Sequence, residues 1–175
     1  MMKFAIEDVV RILEATPDIL IAWLSNLPEA WVAANNGKDT WSAYDIVGHL
    51  IHGEITDWIP RAEIILSNRD NREFEPFDRF AMFEESKGKS IQDLLEEFRK
   101  LRGTSLDTLH SLSLTISDLD RTGFHPSLGE VTLRELLATW AVHDLSHLGQ
   151  IAQVLARQYS GEVGPWIEFL GITDE

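Results

Sequence analysis

Apolar residues recur at spacings of three and four along most of the chain, the pattern typical of amphipathic helices. Three long segments show this pattern most clearly, beginning at Ser42, Ser90 and Thr132 and running to about residues 67, 112 and 159. Each begins with a hydroxyl residue that is followed three positions later by an acidic one, the sequence of a capping box. No alternation of polar and apolar residues is long enough to predict a strand.

The N-terminal region predicts a pair of shorter helices. The first covers residues 6–14, and the second begins at Pro17, because proline interrupts a continuous helix but suits a first helical position. Pro60 lies well inside the helix that begins near Ser42, where it predicts a kink. These segments together predict an all-α fold: a four-helix bundle with short extra helices in its connections, forming a single domain over residues 1–175.

A long, polar and poorly periodic connection over residues 68–89 precedes the helix that begins near Ser90. Its four phenylalanines are Phe74, Phe77, Phe80 and Phe83. The rings either wall the mouth of a pocket or pin the connection to the bundle, and pinning is the favoured interpretation. One short helix fits within this connection. Trp58 and Trp140 are predicted as core residues rather than as platforms for a substrate.

The chain carries 29 acidic against 15 basic residues, a formal net charge of -14. Since an acidic surface repels phosphate, nucleic acids and anionic membrane surfaces are excluded as partners. The chain has no cysteine, which excludes disulfides, thiolate metal sites and a cysteine nucleophile, and fits a cytoplasmic location. Glu7 and Asp8 lie where the apolar region of a secretory signal would run, so we expect no such signal and no membrane span.

Six histidines carry most of the chemical information in this sequence. His143 and His147 are four residues apart on the last long helix, so they project from one face, about 40° apart around the axis. They continue an apolar stripe that includes Leu136 and Trp140, which predicts that they face inward. Imidazoles in such a place need partners for their ring nitrogens, because an unpaired buried polar group is costly.

His49 and His52 lie three residues apart on the helix that begins near Ser42, and either could meet the His143 and His147 face across the bundle. Three neutral imidazoles with open positions left over are typical of a catalytic metal site rather than a closed structural one. Imidazole suits Zn, Ni, Cu, Fe and Co, so the ligands do not select the metal. Without a metal, the histidines would form a hydrogen-bonded network or be exposed.

Three further residues are candidates for orienting the ligand rings from behind. They are Asp45, His52 and Asp144. A role as helix cap is favoured for Asp45, and solvent exposure is the alternative for Asp144, which lies about 100° around the helix from its neighbour. His110 and His125 lie on or near connections, where surface or loop-capping roles are expected.

The motif W-S-x-x-D-x-x-x-H-L at residues 41–50 resembles a signature of the DinB/YfiT-like family. Residues 129–151 resemble the last main helix of that family, and residues 159–170 its usual C-terminus. The resemblance implies a four-helix bundle that binds a divalent metal, most often Zn or Ni, through three histidines. On matching positions these are His49, His143 and His147. Many members of the family are homodimers, and the same is expected here.

The same family includes S-transferases that use bacillithiol, mycothiol or glutathione, a mycothiol-dependent isomerase, and metal-dependent hydrolases. The resemblance therefore favours a metal-dependent transferase that acts on a small-molecule substrate with a low-molecular-weight thiol. Any reactive sulfur would have to arrive with that cosubstrate, because the chain has no cysteine. A metal-dependent hydrolase and a non-catalytic metal-binding module remain the alternatives.

Overall fold

The structure, a computed structural model, describes residues 3–173 as a helical bundle with one small hairpin. The main elements are α1 (Ile6–Leu24), α2 (Glu29–Val32), α3 (Ala43–Thr56), α4 (Trp58–Leu66), α5 (Met82–Glu85), α6 (Ile91–Ser111), β1 (Thr122–His125), β2 (Gly129–Thr132) and α7 (Leu133–Arg157). Short 3₁₀ turns follow at Asp118–Asp120, Gly164–Phe169 and Gly171–Thr173.

The four main helices are α1, α3, α6 and α7, and both α1 and α3 pack against α6 and α7. This arrangement places α1 diagonally from α3, although the two are consecutive main helices in the chain. The prediction of an all-α four-helix bundle is confirmed, as are the short extra helices α2 and α5 in its connections. Among the described residues, no helix combines the length and apolar character that crossing a bilayer requires.

Capping boxes begin α3, α6 and α7, as the sequence predicts. In each, the hydroxyl of the cap residue accepts from the backbone N–H three positions on, and the acidic side chain there accepts from the backbone N–H of the cap. The pairs are Ser42 with Asp45, Ser90 with Asp93, and Thr132 with Glu135. Each pair supplies acceptors to two donors that a helix start would otherwise leave unpaired.

The prediction that Pro17 separates two helices is wrong, because α1 runs continuously through it. Proline has no N–H to donate to the carbonyl four residues earlier, which here belongs to Leu13. The Leu13 carbonyl instead accepts a hydrogen bond of 2.9 Å from Nη1 of Arg102 on α6. A donor that lies far away in the sequence thus replaces the missing one, and the helix continues.

The predicted kink at Pro60 is also corrected, because the helix axis is interrupted at Asp57 and two separate helices, α3 and α4, result. Pro60 is the third residue of α4. A backbone N–H in the first turn of a helix has no intrahelical acceptor, so proline is tolerated there. The break brings the side chain of Asp57 to the wall of a cavity that is described below.

The sequence analysis did not predict the antiparallel hairpin of β1 and β2, which pairs Thr122 with Thr132 and His125 with Gly129. Each strand has only four residues, too few for a clear alternation. The hairpin also holds the long connection, because the backbone N–H of Phe74 donates to the carbonyl of Phe124 at 2.9 Å. A Cβ at Gly123 would lie 2.7 Å from the Phe74 ring, so only glycine permits this close approach.

Two clusters of apolar side chains form the core, one around Phe98 and the other around Trp140. Trp58 and Trp140 are both buried and stack with their ring centroids 5.7 Å apart, which confirms them as core residues. The second cluster joins α1, α4, the hairpin and α7. It therefore supports the part of α7 that carries His143.

Candidate metal centre

Three of the predicted histidines converge between α3 and α7. Nε2 of His143 lies 3.1 Å from Nε2 of His49 and 3.1 Å from Nε2 of His147. One ligand nitrogen from each of the three rings lies within 4.8 Å of the others. The i, i+4 spacing aligns His143 and His147 on one face of α7, and the packing of α3 against α7 brings His49 to them.

Aromatic rings surround the three imidazoles and limit their contact with water. The ring of Trp41 lies 4.8 Å from that of His49 and stacks parallel to that of His147, with centroids 6.2 Å apart. Trp58 meets His143 edge to face at 5.1 Å. His49 is only 5% exposed, and the other two rings are half-buried.

The ring nitrogens point to a cation rather than to a network of hydrogen bonds alone. Nδ1 of His147 lies 3.0 Å from Oε1 of Gln150; if Nδ1–H donates to this oxygen, Nε2 of the neutral ring carries a lone pair. His143 Nε2 touches both other rings, yet one ring nitrogen has a single proton or a single lone pair. Within residues 3–173, Nδ1 of His49 and Nδ1 of His143 are buried without a hydrogen-bond partner. A network of hydrogen bonds among the described side chains therefore does not satisfy all of these ring nitrogens.

The spacing of the nitrogens also fits a metal ion. Ligands at 2.0–2.1 Å in tetrahedral geometry lie about 3.3 Å from each other, close to the two separations of 3.1 Å that His143 Nε2 makes. Burial, followed by the neighbouring histidines, lowers the pKa of His49 and of His143 to about 3, and burial lowers the pKa of His147. All three rings are therefore neutral at pH 7, and the neutral imidazole is the form that binds metals.

A cavity of about 400 Å³ lies beside the three histidines, which form part of its wall. Its volume is in the range of small-molecule sites. Much of the remaining wall is apolar and includes Trp58, Phe77 and Leu136. Phe77 contacts His49 edge to face at 5.4 Å. The nitrogens thus face a space that a small molecule can enter.

Four charged side chains line this cavity, and no sequence pattern predicts any of them there. They are Asp57, Arg61, Arg79 and Glu135. Asp57 and Arg61 form an ion pair of 2.7 Å. Burial raises the pKa of Asp57 to about 6, against the opposing effects of Arg61 and His52. The i, i+4 spacing of Asp57 and Arg61 was a signal for their pairing but not for their place in the site.

The three candidates for orienting the rings have other hydrogen-bond partners. Asp45 accepts from Ser42 as the predicted helix cap, and Nδ1 of His52 lies 2.9 Å from the carboxylate of Glu85. Asp144 is fully buried, which rules out the alternative of solvent exposure. The partner of a converging ring is Gln150, which was missed although it lies three residues after His147.

Asp144 belongs to a buried ionic cluster centred on Arg102. The guanidinium donates to both oxygens of Asp144, at 2.6 and 3.1 Å, and to Oε1 of Glu54, at 3.1 and 2.8 Å. Trp140 Nε1 donates to the same Glu54 oxygen at 3.2 Å. With the bond to Leu13, Arg102 links all four main helices and so fixes α3 relative to α7, the two that carry the histidines.

The phenylalanines of the long connection divide between the two predicted roles. Phe74 is buried, pins the connection to the hairpin and also lines the cavity, whereas Phe77 lies in the cavity wall against His49. Phe80 and Phe83 stack on each other and remain about half exposed. Pinning, the favoured interpretation, therefore describes only part of this set.

The remaining histidines have the roles expected of them. His110 is exposed at the end of α6. Nδ1 of His125 accepts from the backbone N–H groups of Ser127 and Leu128, so the ring caps the turn of the hairpin. His125 also lines the cavity, which the sequence did not predict.

Comparisons with known proteins agree with this architecture. The structure is similar to YfiT from Bacillus subtilis, described as a probable metal-dependent hydrolase with an unusual four-helix bundle topology, with a TM-score of 0.77, 21% sequence identity and 90% of each chain covered. No protein of curated function matches the sequence. The family model of the DinB superfamily matches residues 12–151, a range that contains all three converging histidines. The chain therefore belongs to the DinB superfamily.

Proposed function

We propose that the chain binds a divalent metal ion through His49, His143 and His147 and is a metal-dependent enzyme acting on a small molecule. The observation that carries this proposal is the convergence of three neutral imidazoles at the wall of a cavity of about 400 Å³. Zinc and nickel are the metals that we expect first.

The number of ligands favours an enzyme over a structural module. Within the part of the chain that the structure describes, no fourth histidine, aspartate or glutamate joins the three in a common ligand group. Structural metal sites are closed by four protein ligands, whereas catalytic sites keep a position for water or substrate. The cavity beside the histidines gives a substrate access to such a position.

When bound, a divalent cation supplies Lewis acidity that lowers the pKa of a water or thiol toward neutrality. The side chains of the chain have distinct tasks around it. Trp41 and Phe77 pack against the His49 ring and exclude water from it. Asp57 is a carboxylate in the cavity wall with a pKa of about 6, suited to accept a proton from the nucleophile, and Arg61 holds it in place.

For the nucleophile, we propose a low-molecular-weight thiol, so that the reaction is an S-transfer. The support for this choice is the family resemblance of the sequence motifs, together with a chain that offers no sulfur nucleophile of its own. Hydrolysis is the second candidate, favoured by the likeness to YfiT, which is described as a probable metal-dependent hydrolase. A cytoplasmic homodimer remains the expected form of the protein.

Metal analysis of the purified protein tests the first step. After loading with Zn²⁺ or Ni²⁺ and dialysis, the wild type should retain a stoichiometric amount of metal, and His147→Ala should retain little. His110→Ala is the matched control, since it removes an exposed histidine outside the cluster. If the wild type retains no metal, or if all three proteins retain the same amount, the proposed function is wrong.

An activity screen then separates the two reactions. The metal-loaded protein is incubated with p-nitrophenyl acetate, and separately with an epoxide or alkyl halide together with glutathione, bacillithiol or mycothiol. Consumption of thiol that is lost in His49→Ala supports the transferase. Ester hydrolysis without thiol, lost in the same variant, supports the hydrolase. Turnover that persists in His49→Ala contradicts both.

A further inference from the structure

The cavity wall carries two acidic and two basic side chains, but only one acidic and one basic side chain pair with each other. Asp57 and Arg61 are paired with each other, and Glu135 accepts from the backbone N–H and hydroxyl of Thr132 at the start of α7. Among the ion pairs of residues 3–173, none includes Arg79, the fourth charged side chain of the wall. The exposed guanidinium of Arg79 therefore lies at the cavity without a carboxylate of the described residues in ion-pair distance.

Aromatic contacts hold this charge at the cavity. The guanidinium of Arg79 lies 5.3 Å from the centroid of the Trp41 ring and 5.4 Å from that of Phe80. Trp41 in turn stacks against His147, so one indole ring contacts both Arg79 and one of the converging histidines. The field of Arg79 also reaches the imidazoles, since it is one cause of the lowered pKa of His49.

The rest of the cavity wall favours an apolar ligand. Phe74, Phe77, Leu128, Val131 and Leu136 line it together with Trp58. The chain has a net charge of -14, so an arginine without an ion pair in the described part of the chain, such as Arg79, is a positive site on a mainly negative protein. The arrangement thus combines an apolar chamber with one anion-binding group at its aromatic edge, a common design of small-molecule sites.

We propose that the substrate of this site is an apolar molecule that carries one carboxylate, and that Arg79 binds the carboxylate. A guanidinium presents paired donors that match a carboxylate, and the contact of Arg79 with the Trp41 ring keeps those donors near the cavity. The inference deepens the proposed function, because it names the substrate class of the same cavity. Arg79 is accordingly a residue of substrate binding and specificity.

Calorimetric binding with a matched pair of probes tests this assignment. The probes are phenylpropanoate and its amide, which share the apolar body and differ in the charge. Each is titrated into the metal-loaded and the metal-free forms of the wild type, Arg79→Gln and Arg79→Lys. Arg11→Gln serves as the control, because it removes the same charge from an exposed position on α1.

In the wild type, the carboxylate should bind about tenfold more tightly than the amide, and Arg79→Gln should remove most of this difference. The lysine variant should keep only part of it, because it retains the charge without the stacked fork. Binding of the amide should be the same in wild type and Arg79→Gln, which a merely structural role for Arg79 would not produce. Arg11→Gln should behave like the wild type.

The metal-free arm keeps this test separate from the test of the proposed function. Preference for the carboxylate that depends on Arg79 without metal supports the inference even if the protein proves to bind no metal. Preference that occurs only with metal and is unchanged in Arg79→Gln means that the anion binds the cation directly, and the inference is then overturned. Equal binding of both probes to every form overturns it as well.

Discussion

Replacing Arg102 by methionine should destabilise the protein strongly, because this side chain is the centre of the ionic cluster that links the four main helices. Arg102 is 1% exposed and donates to two buried carboxylates and to the Leu13 carbonyl. Methionine has a similar length and no charge, so Arg102→Met removes these donors and leaves little empty space.

The expected loss is about 4 kcal/mol, since removing one partner of a buried ion pair costs about 3–5 kcal/mol. The penalty arises mainly from Asp144, whose two oxygens both accept from Arg102. Glu54 keeps its hydrogen bond from Trp140. Because native domains are stable by only about 5–15 kcal/mol, such a loss consumes a large share of the total.

Urea denaturation of the metal-free proteins, followed by tryptophan fluorescence, measures this loss as a shift of the midpoint at constant m-value. Arg99→Met is the matched control on the same helix: Arg99 is half exposed and pairs with the exposed Asp18, so its loss should cost about 1 kcal/mol or less. The double variant Arg102→Met/Asp144→Asn should recover part of the stability, because it removes one of the two buried carboxylate charges that Arg102→Met leaves unpaired.

The reasoning is refuted if Arg102→Met loses less than about 1 kcal/mol, the amount typical of an exposed ion pair. It is also refuted if the double variant is less stable than Arg102→Met alone, since the cost would then not come from the buried Asp144 carboxylate. A loss as large in Arg99→Met would point to the charge or the composition of α6 rather than to the cluster.

Three further predictions concern the site. The pKa values of His49 and His143 lie near 3 in the folded protein, whereas 6.5 is the ordinary value of histidine. Below about pH 6.5 the unfolded chain therefore binds protons that the folded protein does not, and the free energy of unfolding should decrease as the pH falls. The loss between pH 7 and 5 should be roughly 2 kcal/mol per histidine in metal-free protein, and a His49→Gln/His143→Gln variant should show a shallower dependence by urea denaturation. Asp57→Asn should lower kcat and abolish the acidic limb of the pH–rate profile near 6; an unchanged limb would remove Asp57 from proton transfer. Gln150→Leu should weaken metal binding about tenfold in a chelator competition, because His147 loses the acceptor that fixes its tautomer, and equal affinities would contradict that role.

The starts of the long helices were predictable because their signals are local. A capping box lies within four residues, and helical periodicity is visible in any stretch of two or three turns. Pro17 was misjudged because the donor that replaces its missing N–H comes from Arg102, 89 positions away from the carbonyl that accepts it. The hairpin was missed because its strands are only four residues long.

The position of Arg102 in the sequence indicates the buried ionic cluster. Leu95, Phe98, Arg102 and Leu109 follow the spacing of the buried face of α6, so a charged residue occupies a core position. A buried arginine requires acidic partners on the facing helices. The buried arginine thus predicts that acidic partners exist. Which residues they are, Glu54 and Asp144, follows only from the packing of α3, α6 and α7 in the structure.

The spacing of His143 and His147 was enough to bring them together, but it left His49 and His52 open as the third residue. The structure distinguishes the two by their neighbours: His49 meets the rings of α7, whereas His52 meets Glu85 on α5. Glu85 belongs to the long connection, in which the sequence predicted one short helix but not its position. Spacing alone therefore left the third histidine open, and only the motif at residues 41–50, whose histidine is His49, favoured one of the two.

The proposed metal-binding residues and the residues proposed to contact a substrate lie on different kinds of segment in this cavity. The imidazoles lie on long helices, where the capping boxes and the Arg102 cluster fix their positions. Phe77 and Arg79 lie on the irregular connection. Near one end of this connection the backbone N–H of Phe74 donates to the Phe124 carbonyl, and at the other end the Tyr44 hydroxyl donates to the Lys89 carbonyl at 2.9 Å. Substitutions in such a segment disturb no helix, so the ligand that the cavity accepts can change while the three histidines remain in place. We therefore expect substrate preference to depend on Arg79 and its neighbours, and metal binding to depend on α3 and α7.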